Sequence, residues 1–236
     1  MDKFTLIFKE SIKRTPTVES FRFKSESPVN FLPGQFAQII FDKEDKNNYE
    51  LNKYLSFSSA PGKEYVEFTK RLSGSTFSGK LKDLKKGDII IIDGPMGRCV
   101  LKDEFKRIGF LIGGIGVTPV ISIIEYAMDK KLDTDICLIY ANKSEAEIAY
   151  RQELDKWSGK NPSLDIKYFV QACDVKSAAC YQGAIDLGAI SEHMSDYRDR
   201  VLFAFGPPAM VNAMIELCSE LGCDKDKLWV ENFIGY

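Results

Sequence analysis

Apolar and polar residues follow one rule in the first part of the chain and another in the rest. Up to about residue 100 they alternate in short runs, such as FTLIFKES, ESFRFKSE, GQFAQIIFD, YVEFTKRL and DIIIIDGP. A period of two turns one apolar face inward, so each run predicts a β-strand with one side buried. PVNFLPG, SAPGKE and KKGD lie between the runs as turn segments at hairpin spacing, the pattern of an antiparallel barrel or sandwich. STFSGKLKDL interrupts it with a short helix, which Ser75 or Ser78 can cap.

Beyond residue 105 the period changes. RIGFLIGG is an apolar strand and VISIIEYAMDKK follows with helical spacing. Next come the strand DICLIYAN, the helix SEAEIAYRQELDKW, the strands DIKYFVQA and RVLFAFGP, the helix PAMVNAMIELCSEL and the strand KLWVENF. Strands alternating with helices predict a parallel sheet covered on both faces. The change falls within GRCVLKDEFK. Two domains are therefore expected: an antiparallel β-barrel over 1–102 and an α/β parallel-sheet domain over 103–236. Neither an internal repeat nor a low-complexity tract is present.

Composition narrows the function. With 44% hydrophobic and 28% charged residues among 236, the chain is globular with a sizeable core. A net charge of −2 and the lack of a basic block argue against nucleic acid. The six cysteines, Cys99, Cys137, Cys173, Cys180, Cys218 and Cys223, form no CxxC cluster. Iron–sulfur and zinc sites are thus not expected, and the thiols read as ordinary reduced ones. His193, the single histidine, lies in the polar SEHMSDY and leaves Ser–His catalysis without a partner. No signal peptide or membrane-length apolar run is visible, so a soluble cytoplasmic protein is the expectation.

Four segments carry candidate chemistry. In GFLIGGIGVTPVISII a strand ends at Gly113, and Gly113, Gly114 and Gly116 let the backbone approach a ligand. The helix start at Val117 and Thr118 then offers unpaired N–H groups and the positive dipole end to a diphosphate, and Pro119 suits the first turn, where its missing N–H costs nothing. A tight turn that merely packs helix on strand is the alternative. In AFGPPAMVNAM, Gly206, Pro207 and Pro208 begin a second helix at the same sheet edge, followed by Met210. Ligands of such sheets lie outside the carboxyl ends of the strands, where two glycine turns suit a dinucleotide. In the first half, Lys53 and the serines of NKYLSFSSAP join Gly74, Ser75, Thr76, Phe77 and Ser78 of GSTFSGKL. A cation beside small hydroxyls and amides suits a second phosphate-bearing ligand, although a capped helix explains GSTFSGKL alone.

LPGQF, KYLSFSSAP, GSTFSGKL, GPMG, GGIGVTP, FGPPAMV and the terminal ENFIGY, in this order, resemble the motifs of the ferredoxin–NADP reductase superfamily. The resemblance implies an FAD-binding barrel, an NAD(P)-binding α/β domain, and hydride passing from NADH or NADPH to the flavin. It implies that Lys53 holds the flavin diphosphate with Ser75 to Ser78, that Leu55 lies against the flavin ring while Tyr54 points to the opposite side of the strand, and that Ser56 approaches the reacting nitrogen. The strand holding Phe68, Thr69 and Lys70 would border the flavin. Gly113 to Thr118 would bind the nicotinamide dinucleotide with Pro119, and Gly206 to Met210 would border the nicotinamide. Phe205 stands where the family usually has cysteine, and Lys53 and Leu55 stand where it has arginine and tyrosine. Phe233 and Tyr236 resemble aromatic residues near the exposed flavin face, where one would gate nicotinamide access; a mobile tail is the other reading.

The resemblance leaves the acceptor open between a ferredoxin-like protein, an oxygenase component and a small molecule. For the nucleotide, Asn142 and Lys143 begin the turn ANKSEAEIAYR, in which Lys143, Ser144 and Arg151 stand beside Glu145 and Glu147. Those signs cancel and leave NADH and NADPH equally open. Two further readings stand: an electron-transfer subunit of a larger dehydrogenase, and a non-catalytic nucleotide-binding module.

Overall fold

The computed structural model describes residues 2–172 and 180–233. In chain order the elements are β1 (Asp2–Lys13), β2 (Val18–Ser25), β3 (Phe36–Ile40), β4 (Asn52–Ser56), β5 (Val66–Arg71), α1 (Thr76–Lys82), β6 (Ile89–Met96) and β7 (Arg107–Gly113). They continue with α2 (Val117–Lys130), β8 (Asp135–Ser144), α3 (Arg151–Ser158), β9 (Leu164–Ala172), β10 (Tyr181–Gln182), α4 (Leu187–His193), β11 (Val201–Gly206), α5 (Pro208–Glu220) and β12 (Leu228–Asn232). Two compact units result: Met1–Leu101 with Thr118–Tyr126, and Lys102–Val117 with Ala127–Tyr236. No helix among the described residues is long and apolar enough to cross a membrane.

The first unit holds a six-stranded antiparallel sheet in the order β4-β3-β6-β1-β2-β5. The bridge from Phe57 to Phe68, with the bond from Ser58 N–H to Glu67 O (2.8 Å), brings its two edges together into a nearly closed barrel. The alternating runs fold this way because every second side chain enters a shared interior, which Leu6, Phe23, Ala37, Ile39, Leu55, Phe68 and Phe77 help fill. Each large side chain so buried contributes roughly 1.5–3 kcal/mol.

Beside this interior runs a polar seam. Glu67, only 2% exposed, accepts bonds from Arg14 on both carboxylate oxygens (3.2 Å) and from Arg22 (2.7 Å). Thr69 Oγ1 bonds to Ser20 and Ser58 hydroxyls at 2.6 and 2.8 Å. The Ser59 hydroxyl accepts from Glu67 N–H at 3.1 Å. The serines after β4 therefore tie that strand to β5. Thr118–Tyr126 belongs to this unit as well. Ser122 donates to Ser59 O at 2.8 Å, and Glu125 accepts from Ala60 N–H at 2.6 Å.

The second unit is an all-parallel sheet ordered β10-β9-β8-β7-β11-β12. Its central strand β7 is buried from Ile108 to Ile112, as a strand must be when both sheet faces are covered. Register sets Gly113 opposite Ala141 and Ile112 opposite Phe205. The turns after β7, β8 and β11 consequently emerge at one edge of the sheet.

Candidate functional site

The carboxyl edge of the parallel sheet is built from two glycine turns pressed together. A Cβ on Gly116 would run into the carbonyl oxygen of Phe205, and one on Gly113 into Met210 Sδ. Only glycine permits so close an approach of the turns after β7 and β11. Each turn opens a helix without a side-chain cap and without an acidic residue in its first turn: α2 after Gly116, and α5 after Pro207 with Pro208 at its start. Val117 N–H bonds back to Gly114 O in the tight turn that leads into α2, so what the two helices present at this edge is their positive dipole ends. Tyr140 holds the first turn in place by donating to Gly114 O at 2.9 Å, and Phe233 N–H donates to Gly206 O at 2.9 Å.

Asn142 lies near the end of β8, at the same edge. It is 8% exposed, and neither its carbonyl oxygen nor its amide nitrogen has a hydrogen-bond partner among the described residues. Burying such a group unpaired costs about 1–3 kcal/mol, which a polar ligand would offset. On β12, Glu231 stands in register with Phe205, and burial raises its carboxyl to about 7. Glu231 was not among the residues singled out in the sequence, because a lone acid in a strand gives no pattern to read.

In the first unit, Lys53 on β4 and Lys70 on β5 point toward the same region. Lys70 continues the inward row of Val66 and Phe68 and is itself 2% exposed. Burial, with the neighbouring charge of Lys53, lowers its ammonium to about 8. Two cations brought together in this way favour an anion between them. Shortly after Lys70 the chain enters α1, capped by Ser75. Hydroxyls of Ser73, Ser75 and Ser78 lie 3.1–3.3 Å from one another. A pair of cations and a cluster of hydroxyls each suit a phosphate group.

The remaining residues singled out in the sequence divide by burial. Gly74, Ser75 and Thr76 are exposed at the start of α1, and Ser56 is 5% exposed. Leu55, Phe68 and Phe77 have their side chains in the barrel interior. Tyr54 takes the opposite face of β4 from Leu55, with its ring edge-on to Phe36 at 5.9 Å. The hydroxyl of Thr69 is engaged by Ser20 and Ser58. The Phe205 ring is fully buried near Phe110 and Phe203, so this residue meets the glycine turn through its carbonyl. Val117, Thr118 and Pro119 are buried, Pro207 and Pro208 exposed, and Lys143 exposed. Arg151 is held by Asp155 at 2.9 Å and lies over the Tyr168 ring. Cys173 and Tyr236 fall outside the described residues.

Residues 110–216 match the family model described as the oxidoreductase NAD-binding domain. The chain is 27% identical over 229 residues to the glycine betaine monooxygenase reductase subunit of Pseudomonas aeruginosa, covering 94% of itself and 62% of that protein. It thus spans under two thirds of that relative's length. It is 30% identical to NADH-cytochrome b5 reductase 1 of Mortierella alpina, covering 94% of itself and 76% of the other. Among solved structures, the cytochrome b5 reductase domain of Ulva prolifera nitrate reductase superposes with a TM-score of 0.84 at 23% identity, over 98% of this chain and 97% of that one. The fold and the coverage define a two-unit reductase architecture. The chain belongs to the ferredoxin–NADP reductase superfamily.

Proposed function

We propose that the chain is an FAD-dependent reductase that draws on NADH or NADPH and passes electrons to a separate acceptor. The observation that carries this reading is that each unit has an anion-binding arrangement of its own: paired lysines in the barrel, and two uncapped helix starts at the sheet edge. Bound FAD and NAD(P)H supply the hydride chemistry; the chain supplies position and electrostatics. Lys53 and Lys70 hold the flavin diphosphate, with the Ser75–Ser78 turn beside them. The positive dipole end of α2 and the Gly113–Gly116 backbone hold the nicotinamide dinucleotide. Gly206 to Met210 and Asn142 shape its reactive end, and Asn142 finds there the partners it lacks among the described residues. Ser56 and Phe233 are assigned to the flavin side of the reaction, with Tyr236 as an aromatic gate.

NADH is the favoured donor. Arg151 is committed to Asp155 and Tyr168, so Lys143 is left beside Glu145 and Glu147 to meet the adenosine ribose. Two acids near one cation disfavour a 2′-phosphate. For the acceptor, the relatives named for glycine betaine monooxygenase and for cytochrome b5 support a separate protein component. The test is reduction of ferricyanide by the FAD-loaded protein with each nucleotide. At equal concentration, NADH is expected to support the faster turnover. Preference for NADPH would remove the assignment of the donor, and inactivity with both would remove the reductase reading.

A further inference from the structure

The carboxyl end of α5 carries two cysteines in a defined turn. Leu221 closes the helix, and Gly222 adopts the left-handed conformation at φ +69°. Cys223 N–H donates to Cys218 O at 2.9 Å, and Gly222 N–H donates to Ser219 O at 3.1 Å. These nested bonds around a left-handed glycine form a Schellman motif, in which the side chains at the positions of Cys218 and Cys223 usually make an apolar contact. Here both are thiols, and their side chains interact.

The interaction between the two thiols works against ionisation of Cys218 and favours it at Cys223. Arg198, which donates to Leu221 O at 3.0 and 3.1 Å, adds positive charge beside Cys223. Burial works against ionisation of both thiols and more strongly at Cys218, which is pushed up to about 12. Cys218 is 1% exposed and Cys223 partly exposed, and both line a groove with Ile215, Ser219, Leu228 and Val230. A small oxidant entering the groove therefore meets Cys223 first.

We propose that Cys218 and Cys223 form a redox-active dithiol that a hydroperoxide converts to an intramolecular disulfide. The Cys223 sulfur attacks one peroxide oxygen, the O–O bond breaks, and hydrogen peroxide leaves water and a sulfenic acid at Cys223. The Cys218 sulfur then attacks the Cys223 sulfur. The S–O bond breaks, and the departing hydroxide takes the Cys218 proton as a second water. The dithiol loses two electrons and the peroxide gains them. An external dithiol reverses the oxidation by exchange. Because Cys223 N–H already bonds to Cys218 O and both side chains line one groove, the bond forms without carrying one backbone segment across to another.

The test uses the whole, freshly reduced protein titrated with hydrogen peroxide. One tryptic peptide, Val201 to Lys225, contains Cys218 and Cys223 and no other cysteine. One equivalent of peroxide is expected to lower the thiol count from six to four and leave that peptide two hydrogen masses lighter, with dithiothreitol restoring both. In Cys218→Ser the same dose is expected to leave a sulfenic acid on Cys223 that dimedone traps. The proposal is overturned if the wild-type peptide keeps its reduced mass while other thiols are consumed. It is equally overturned if the oxidised pair appears as crosslinks between chains, or if dimedone labels Cys223 as fully in wild type as in the variant.

Discussion

Lys70 is a residue whose burial works against the fold and for a ligand. Its ammonium is lowered from 10.5 to about 8 by burial first and by Lys53 second. Between those two values the unfolded chain binds the proton and the folded chain releases it, so stability rises with pH across that window. Below pH 8 the penalty of the charged, buried lysine is present in full. Lys70→Met is therefore expected to raise the melting temperature of FAD-free protein at pH 7 and to flatten its rise above pH 8. The same variant is expected to bind FAD more weakly. Lys53→Ala should weaken FAD retention about tenfold to a hundredfold, the range of a lost charge-assisted bond. Equal flavin occupancy in Lys53→Ala and wild type would reject its role. Asn142 follows similar logic without charge. Asn142→Leu removes two buried unpaired atoms and should stabilise the protein by about 1 kcal/mol while raising the KM for NADH. A variant neither more stable nor impaired toward NADH would deny Asn142 its place at the site.

Among the elements, the glycine turns are where sequence and packing can be separated. At Gly116 a Cβ meets backbone, the Phe205 carbonyl, which cannot rotate away. At Gly113 it meets the end of a flexible Met210 side chain. Gly116→Ala is accordingly expected to cost about 2 kcal/mol and to impair NADH use beyond repair by a second change. Gly113→Ala should be milder and be relieved by adding Met210→Ala, which thermal melts and NADH turnover of the single and double variants would show. Equal losses in both single variants, unrelieved in the double, would mean that the turns do not pack as described. These turns were legible in the sequence because glycine after an apolar strand is a local signal. Their convergence was legible only as an expectation, since strand order is a long-range property. The serines of NKYLSFSSAP show the reverse. Ser58 and Ser59 were read as donors to a ligand, yet they bond to Glu67 and Thr69 of β5, a partner strand that no local pattern names.

At the level of the whole molecule, the change from a period of two to strand–helix alternation near residue 100 made both sheets legible. Alternation specifies which face is buried, and so specifies the barrel; continuous apolar runs specify a sheet covered on both sides. What stayed hidden were pairings between residues apart in the chain, Lys53 with Lys70 and Arg151 with Tyr168, and the burial of Leu55 and Phe205. Two departures from the superfamily's pattern, Leu55 and Phe205, lie with their side chains in the interior of their units, so their effect on the site is through packing. The account as a whole requires one chain to hold both ligands so that electrons pass between them. Anaerobic mixing of the FAD-loaded protein with NADH tests this most directly. The yellow flavin absorbance is expected to bleach rapidly and to return on addition of an electron acceptor. Protein that takes up no FAD, or that stays yellow with both NADH and NADPH, would contradict it.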